Sequence, residues 1–354
     1  MCRIVGFHDG KDVSYCILEN GVPIIHEELE RFNRRKSSYG DGLGLFFDNY
    51  SKSDIKYFTN GNPGGRDYLP RLGLAESGAN YFKKMEDIIN KNNGNYYVIG
   101  HHQSHAAGAF YASNFKDALV ITMDGSGNEK TDPNIYEDIT KNTVKETGFT
   151  IWIGNDTKLK REYVATSFSI GWIWHLTTKK IFGLSIGEPI GHQAGTVMAM
   201  GTIGDPDKYF DIFYGNERSN PGIDWGKYYN LAMSSEQEAF DLAAGLQKAT
   251  EVSFKEKITP FIENYDGENL CLSGGASLNS VMMGKITDWF PKIKNIYCDP
   301  VPYDGGLSLG SARYTWHHIL DNPRIEWEDN SSPYLGRTYN LDDINLAIQN
   351  IKEN

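Results

Sequence analysis

Short runs of apolar residues separated by turn residues open the chain. Such runs predict β-strands, and five of them occur before residue 100, at Arg3–His8, Val13–Leu18, Val22–Glu27, Ile55–Thr59 and Tyr96–Ile99. The pairs Asp9-Gly10 and Asn20-Gly21 separate the first three runs and suit tight hairpin turns. Helical spacing of apolar residues near Leu43–Tyr50 and Ala79–Ile89 predicts helices between the later strands.

The same pattern then starts again. A buried strand predicted at Ala118–Met123 runs into Asp124-Gly125-Ser126-Gly127. Further strands are predicted at Phe149–Ile153, Asn269–Leu272 and Asn295–Cys298. Ser235 and Glu238 have the spacing of a capping box, which predicts a long helix from Ser235. Two further helices are predicted at Ala276–Ile286 and Leu307–Ile319.

Two rounds of strands, a glycine turn and helices predict two similar α/β lobes with a cleft between them. We place the N-terminal lobe at residues 1–115, the C-terminal lobe at residues 116–336 and a polar tail at residues 337–354. No run approaches 18 apolar residues, so no membrane span is predicted. The start carries no signal-peptide pattern, and the four cysteines have no C-x-x-C spacing. These features predict a soluble cytoplasmic protein with reduced cysteines.

The chain is acidic, with a net charge of −11. This charge argues against a protein that mainly coats nucleic acid. Two basic clusters, Arg31–Lys36 and Lys158–Arg161, are compatible either with a local anion-binding groove or with an ordinary solvated face.

The segment Gly100–Ala107 concentrates histidines. If a helix begins here, His101 and His105 project from one face, and this spacing lets two imidazoles bind one metal ion. The alternative is a helix start whose polar side chains bind nothing.

Three glycine turns suit phosphate binding, because glycine lets backbone N–H groups approach an anion. They are Asp124–Gly127, Ser273–Gly275 and Tyr303–Gly306. Each taken alone could be an ordinary tight turn. Asp304 in the third turn could supply a carboxylate to a metal ion. At the end of the first strand, His8 could act as a general base or contact a phosphoryl group, or it could belong to a simple hairpin turn.

Taken together, these segments resemble the O-carbamoyltransferase family of nodulation-factor and antibiotic carbamoyltransferases, whose catalytic domain is Kae1-like. The matching segments are, in chain order, Gly6–Asp9, Glu30–Lys36, His101–His105, Asp124–Gly127, Leu272–Asn279, Pro302–Gly306 and Ser332–Gly336. The resemblance covers nearly the whole chain. It implies a two-lobed actin-like ATPase fold of the duplicated RNase H-like type, with a cleft between the lobes.

The resemblance also implies residue roles. It assigns a divalent metal, Fe²⁺ first and Zn²⁺ or Mn²⁺ as alternatives, to His101, His105 and Asp304. It assigns the nucleotide to the two glycine turns, with the residues Asp124, Gly125, Gly127, Ser273, Gly274, Gly275 and Asn279. His8 becomes the candidate for deprotonating the acceptor hydroxyl, and Lys36 a candidate contact for the adenylate phosphate.

The implied reaction has two steps. Carbamoyl phosphate and ATP form carbamoyl-adenylate, and the carbamoyl group then moves to a hydroxyl of a small molecule or of a hydroxymethyl-pyrimidine in a nucleotide or DNA. Family members continue into a YrdC-like domain that performs the first step. We therefore expect this chain to need a YrdC-like domain or partner for activation, and a homodimer is left open.

The chain departs from the family pattern in two segments. Thr196 stands where the family often has lysine, and Ser37-Ser38 replaces a His-Asp pair. Two other functions fit the nucleotide turns: an actin-like-fold small-molecule kinase, and a non-catalytic ATP-binding subunit of a threonylcarbamoyl-tRNA-type complex. A kinase of this type needs no metal-binding histidine pair, so the His101/His105 spacing counts against it.

Overall fold

The computed structural model of the chain describes residues 1–50, 55–62, 87, 90, 95–136, 143–184, 193–218, 221–326, 328 and 334–353. The helix predicted at Ala79–Ile89 lies almost entirely outside these residues, as do Ser332 and Pro333 of the last matching segment.

The first part of the chain forms a five-stranded sheet with the strand order β4-β3-β1-β6-β7. Its strands are β1 Arg3–His8, β3 Ser14–Glu19, β4 Val22–Glu28, β6 Ile55–Asn60 and β7 Asn95–Val98. The short strands β2 Gly10–Lys11 and β5 Tyr39–Gly40 pair with each other beside this sheet, and the helices α1 Leu29–Asn33 and α2 Gly42–Asn49 complete this part. The five predicted strands are thus confirmed to within one or two residues at each end.

The second sheet repeats the first, with the order β10-β9-β8-β11-β12. Its strands are β8 Asp117–Lys130, β9 Thr143–Asn155, β10 Lys158–Ala165, β11 Asn269–Ser273 and β12 Asn295–Cys298. In both sheets the central strand, β1 or β8, pairs antiparallel with the next long strand and parallel with a later one. The prediction of two similar α/β lobes is therefore confirmed.

One prediction about the second sheet is wrong. The strand β8 does not end at Met123 but continues through Asp124–Gly127 to Lys130, still paired with β9. The pairing register shifts between Met123 and Gly127 and again before Glu129. Glycines permit this irregularity, because a bulged strand needs backbone conformations and close contacts that larger residues resist.

Helices of the second part cover its sheet. They are α4 Ile170–Lys180, α5 Ala194–Met200, α6 Phe210–Phe213, α7 Trp225–Ala232, α8 Glu236–Asn264, α9 Ser280–Met283 and α10 Ile286–Trp289. The predicted cap of α8 is confirmed, since the Ser235 hydroxyl accepts a hydrogen bond from the Glu238 amide. The single helix predicted at Ala276–Ile286 is wrong. A 3₁₀ turn at Gly275–Leu278 precedes α9, which the Asn279 side chain caps.

Two helices lie between the sheets. Helix α3, His101–Ala112, is buried along its whole length, and helix α11, Leu307–Tyr314, continues as a π-helix at Thr315–Ile319. They approach closely at Gly310, where an added Cβ would lie 1.9 Å from the Ser104 carbonyl oxygen. Helix α11 also packs on the first sheet, for example through Ser308, whose hydroxyl lies 2.8 Å from that of Ser14. The chain thus returns to the first sheet, and the division at residues 115/116 stays a prediction.

The last helix, α12 Leu341–Glu353, is exposed from Leu341 to Ile351. None of the described helices is long and apolar enough to span a membrane. All four cysteines are free thiols in the structure.

Candidate metal centre and nucleotide cavity

Four side chains converge where α3 begins. His101, His105, Asp124 and Asp304 each offer one ligand atom, and these atoms all lie within 4.8 Å of one another. The His101 Nε2 atom is 2.9 Å from an Asp124 carboxylate oxygen and 3.5 Å from one of Asp304. The His105 Nε2 atom is 3.5 Å and 3.6 Å from the same two oxygens.

The first turn of α3 is held by a buried carboxylate. Glu129 is fully buried, and one of its oxygens accepts a hydrogen bond of 2.9 Å from the Gln103 amide. A Cβ at Gly100 would lie 1.6 Å from the other Glu129 oxygen, so only glycine fits there. A carboxylate at a helix N-terminus satisfies free N–H groups and interacts favourably with the helix dipole. Glu129 therefore fixes the helix turn that carries His101.

Asp124 belongs to this group of potential ligands. The sequence assigned it to the nucleotide turn, whereas the structure directs its carboxylate at both histidines. The adjacent glycines are explained by the same cluster. A Cβ at Gly127 would lie 2.3 Å from the His101 ring, and one at Gly275 would lie 3.0 Å from an Asp124 oxygen. In the sequence, the available signal was an aspartate between a buried strand and glycines. This pattern fits phosphate binding as well as metal binding.

Charge couples these groups. Burial disfavours the charged form of His105, but hydrogen-bonding and charge interactions with Asp124 and Asp304 outweigh it and raise the His105 pKa to about 9. Burial would also raise the pKa of Asp124, yet the two histidines hold it well below its usual value. The cluster thus carries negative charge that attracts a cation, either a proton or a metal ion.

The donor set fits a transition metal. The His105 Nε2 atom is buried, and both carboxylates lie at the limit of hydrogen-bond distance from it. Two imidazoles and two carboxylates suit Zn²⁺, Fe²⁺ or Mn²⁺. Among the residues that the structure describes, this is the one group of at least three His, Cys, Asp or Glu side chains so arranged.

A cavity of about 520 Å³ opens beside the four-residue cluster. Three of the potential ligands, His101, Asp124 and Asp304, form part of its wall. Both parts of the chain contribute to the rest. Polar residues on the side of the first sheet are Lys11, Asp12, Glu30, Lys36, Ser37, Tyr39 and Asn62, and the opposite wall includes Ile170, Trp172, Trp174, His175, Met198, Ala276 and Leu278.

The predicted nucleotide residues divide into two sets. Asp124, Gly125, Gly127, Gly275 and Asn279 line the cavity. Ser273 and Gly274 lie beneath its wall, where Gly274 has a φ of 90° and a Cβ would lie 2.1 Å from the Met123 carbonyl oxygen.

The two predicted catalytic residues also differ in position. Lys36 lines the cavity, and its ammonium group is 2.8 Å from a Glu30 oxygen. His8 is fully buried behind the lining residues, and its Nε2 atom lies 2.6 Å from the Lys11 carbonyl oxygen. Burial lowers the His8 pKa to about 4, so the ring is neutral at neutral pH.

Several wall residues were missed by the sequence reasoning. Lys11 and Asp12 follow the first strand in what looked like a plain hairpin turn. Trp172 and His175 lie in α4, where an aromatic-rich helix is more often part of a core. A pattern of residue types does not show which helix face borders a cavity.

Comparisons with known proteins show the family and the fold of this chain. The family model "Carbamoyltransferase N-terminus" matches residues 56–222 and 226–313, which is well over half of the chain. An uncharacterised protein from Synechocystis, sll1178, is 29% identical over 70% of this chain and 41% of its own length. The nodulation protein NolNO of Sinorhizobium fredii is 26% identical over 60% of this chain and 30% of its own length. The matched region thus spans less than half of either relative.

A solved structure shows the fold. Full-length HypF in its phosphate- and nucleotide-bound form superposes with a TM-score of 0.51 at 15% identity, covering 91% of this chain and 56% of HypF. Together with the repeated sheets, this similarity confirms the actin-like ATPase fold. The family match favours transfer chemistry over the kinase and over the non-catalytic subunit. The chain belongs to the carbamoyltransferase family.

Proposed function

We propose that the chain transfers a carbamoyl group from carbamoyl phosphate, through carbamoyl-adenylate, to an acceptor hydroxyl. One observation carries this proposal: three of the four clustered metal-ligand candidates, His101, Asp124 and Asp304, also line the cavity. A ligand in the cavity would therefore meet the metal centre directly.

The nucleotide would occupy this cavity with its phosphates near Gly125 and Gly127. Its base would lie against the apolar wall, where Trp172, Met198 and Leu278 offer flat or flexible apolar surface. HypF, which has the same fold, was solved in a phosphate- and nucleotide-bound form, and this supports nucleotide binding by the chain.

His101, His105, Asp124 and Asp304 would hold the metal ion. A divalent ion there supplies Lewis-acid charge for a phosphate or carbamoyl oxygen. The protein's own part is to keep these ligands together before the ion binds. Helix α3 supplies two of them, and Glu129 fixes the start of that helix.

His8 is our candidate for accepting the proton of the acceptor hydroxyl. Its Nδ1 atom is buried without a hydrogen-bond partner among the described residues, while Nε2 donates to the Lys11 carbonyl oxygen. Because burial keeps the ring neutral, Nδ1 has a free lone pair at neutral pH. Lys36 would contact the adenylate phosphate from the first-sheet side of the cavity.

The acceptor class stays a choice between a small molecule and a hydroxymethyl-pyrimidine in a nucleotide or DNA. Activation by a YrdC-like domain or partner remains part of the proposal. The decisive experiment incubates the protein with carbamoyl phosphate, ATP and candidate acceptors, with and without a YrdC-like partner. A mass increase of one carbamoyl group on an acceptor supports the proposal, and its absence with every acceptor and partner contradicts it.

Nucleotide placement has a separate test. Gly275→Val would disturb Asp124 as well as the cavity, since a Cβ there approaches the carboxylate to 3.0 Å. Gly195 is the better position, because it lines the cavity and an added Cβ meets nothing within 4 Å. Gly195→Val should weaken ATP binding by about tenfold in calorimetry and leave metal content unchanged. Equal ATP affinity of the wild-type protein and the Gly195→Val variant would show that the nucleotide binds elsewhere.

A further inference from the structure

The basic cluster on strand β10 carries charges that are used within the fold. Lys158 lies 2.7 Å from a carboxylate oxygen of Asp321, and Lys160 lies 2.8 Å from one of Glu162. The Arg161 guanidinium group donates hydrogen bonds to two backbone carbonyl oxygens at the end of β8. Because its charges already have partners, this cluster is an ordinary solvated face of the protein.

The other basic cluster, Arg31–Lys36, lies at the mouth of the cavity. Its last residue, Lys36, and the residue just before it, Glu30, both line the cavity and pair with each other at 2.8 Å. Every residue of the cluster is exposed. Arg34 and Arg35 form no ion pair with any residue that the structure describes. Two positive charges are therefore available to a ligand that extends out of the cavity.

An exposed aromatic ring accompanies these charges. Phe32, in the short helix α1, is 40% exposed, although phenylalanine is among the residues most often buried. Aromatic rings stack on the bases of nucleic-acid strands, and guanidinium groups bind their phosphates. The combination of Phe32 with two unpaired arginines therefore fits a nucleic-acid strand.

The backbone of this segment is held in an uncommon conformation. Arg34 and Ser37 have φ values of 60° and 52°, in the left-handed region, which costs energy for residues other than glycine. Glu30 accepts a hydrogen bond of 3.2 Å from the Ser37 amide, and the Ser38 hydroxyl donates one of 3.0 Å to the Asn33 side chain. The loop is thus ordered before a ligand binds, and an ordered loop loses less conformational entropy on binding.

The charges on this side of the cavity favour an anionic ligand. The two carboxylates there, those of Asp12 and Glu30, each lie 2.8 Å from a lysine ammonium group. Their charges are thus compensated, and Arg34 and Arg35 make the mouth of the cavity positive although the whole chain carries a net charge of −11. A neutral acceptor would leave both guanidinium groups without an anion, whereas the phosphates of a strand would bind them.

We propose that the acceptor hydroxyl belongs to a base of a nucleic-acid strand and that the cluster Arg31–Lys36 binds the phosphates of this strand at the mouth of the cavity. Phe32 stacks on a neighbouring base, and the reacting base leaves the stack to enter the cavity. The carbamoyl carbon then bonds to the hydroxyl oxygen while its bond to the adenylate phosphate oxygen breaks, AMP leaves, and the hydroxyl proton passes to His8. This inference rests on the proposed function, because it presumes carbamoyl transfer in the cavity.

Arg34→Gln/Arg35→Gln removes two charges with little change in side-chain length. Its affinity for a single-stranded DNA oligonucleotide of about 12 nucleotides should fall by about tenfold or more, and the slope of log affinity against log salt should become shallower by about 1.4, since each phosphate contact contributes about 0.7. Phe32→Ala should lower the affinity by about fivefold without changing this slope. Lys158→Gln/Lys160→Gln, which removes two charges from the paired cluster, is the matched control and should bind like the wild type.

Fluorescence anisotropy of a labelled oligonucleotide that contains hydroxymethylcytosine, at several salt concentrations, measures these affinities for the full chain. Calorimetry with the free hydroxymethylcytosine nucleotide distinguishes a strand from a mononucleotide, which should bind more weakly than the strand. Unchanged strand affinity in the Arg34→Gln/Arg35→Gln variant, an equal loss in the matched control, or tighter binding of the free nucleotide would overturn the inference.

The mass measurement of carbamoyl transfer separates this inference from the proposed function. Carbamoyl transfer to a small molecule by a protein that binds no strand would overturn the inference and leave the proposed function intact. Strand binding without carbamoyl transfer to any acceptor would overturn the proposed function and, with it, the assignment of the acceptor hydroxyl to a base.

Discussion

The two Asp-Gly pairs, Asp9-Gly10 and Asp124-Gly125, occupy equivalent places in the two sheets but use their carboxylates differently. Asp9 is fully buried and accepts hydrogen bonds from the Gly42 amide at 2.8 Å and the Asn60 side chain at 2.7 Å. Asp124, with a side chain 15% exposed, faces the imidazoles of His101 and His105. Repeating a backbone arrangement therefore does not repeat the chemistry. The donors that surround each carboxylate decide whether it stabilises a loop or binds a ligand.

Helix α3 causes this difference. It follows β7, the edge strand of the first sheet, yet it packs on the strands of the second sheet through residues such as Phe110 and Ala106. Its histidines therefore reach Asp124 and not Asp9. The first-sheet aspartate meets N–H donors, which satisfy the oxygens of a buried carboxylate.

The largest expected effect is a difference in metal affinity between the Asp124→Asn and Asp9→Asn variants. Asp124→Asn should lower metal affinity by at least about 100-fold, since even residues outside the ligand shell cost 10- to 100-fold when changed. Asp9→Asn should keep the metal and reduce the free energy of unfolding by about 1–3 kcal/mol, because the new amide places a donor against the Asn60 side chain. Metal analysis and thermal unfolding of both variants provide the measurements.

This contrast fails if the two variants behave alike. Metal loss in a stable Asp9→Asn protein would show that the first turn also serves the metal site. Full metal content in Asp124→Asn would leave a site made of His101, His105 and Asp304 alone.

The pH dependence of metal binding is the next largest effect. In the metal-free protein the His105 pKa is raised from 6.5 to about 9. The interaction of protonated His105 with Asp124 and Asp304 stabilises the folded state. This stabilisation is fully present below about pH 6.5 and is lost as the pH rises through about 9. A metal ion must displace this proton, so Zn²⁺ affinity should rise by about tenfold per pH unit up to about pH 9 and then level off. Titrations in buffers matched for metal binding would show this, and affinity independent of pH between 7 and 9 would contradict it.

A smaller effect distinguishes two glycines, Gly125 and Gly127, within the irregular segment of β8. Gly127→Ala should weaken metal binding by about tenfold, because the new methyl group would press against the His101 ring at 2.3 Å. Gly125→Ala is the matched control, since its Cβ would meet nothing closer than 3.8 Å. Metal titration of both variants checks this. Equal metal affinities would mean that the His101 ring has room to shift without cost.

Much of the fold was predictable, because strands in a buried sheet show their apolar runs directly. Strand β1 and strand β12 have the predicted bounds, and the cap at Ser235 is where its motif places it. The break in the helix predicted at Ala276–Ile286 was not predictable from periodicity. It depends on Asn279, whose side chain hydrogen-bonds both the Met282 amide and Gln247 of the distant helix α8.

The candidate site was predictable to the extent that its residues are local in sequence. The spacing of His101 and His105 indicated a shared helix face, and the structure confirms the helix. The position of Asp124 depends on a register shift inside β8. The position of Lys11 depends on which side of the turn after β1 faces the cavity. Both are tertiary properties. A pattern of residue types along one segment carries no information on them.

The contact between α3 and α11 has a consequence for biosynthesis. His101 and His105 emerge from the ribosome long before Asp304, which directly precedes α11. Contacts between such distant segments form late, since a long stretch of chain must first be ordered. The two helices can meet at Gly310 only after the chain has been translated through this residue. A nascent chain would therefore carry an incomplete set of ligands until Asp304 has emerged, and metal loading would follow the packing of these two helices.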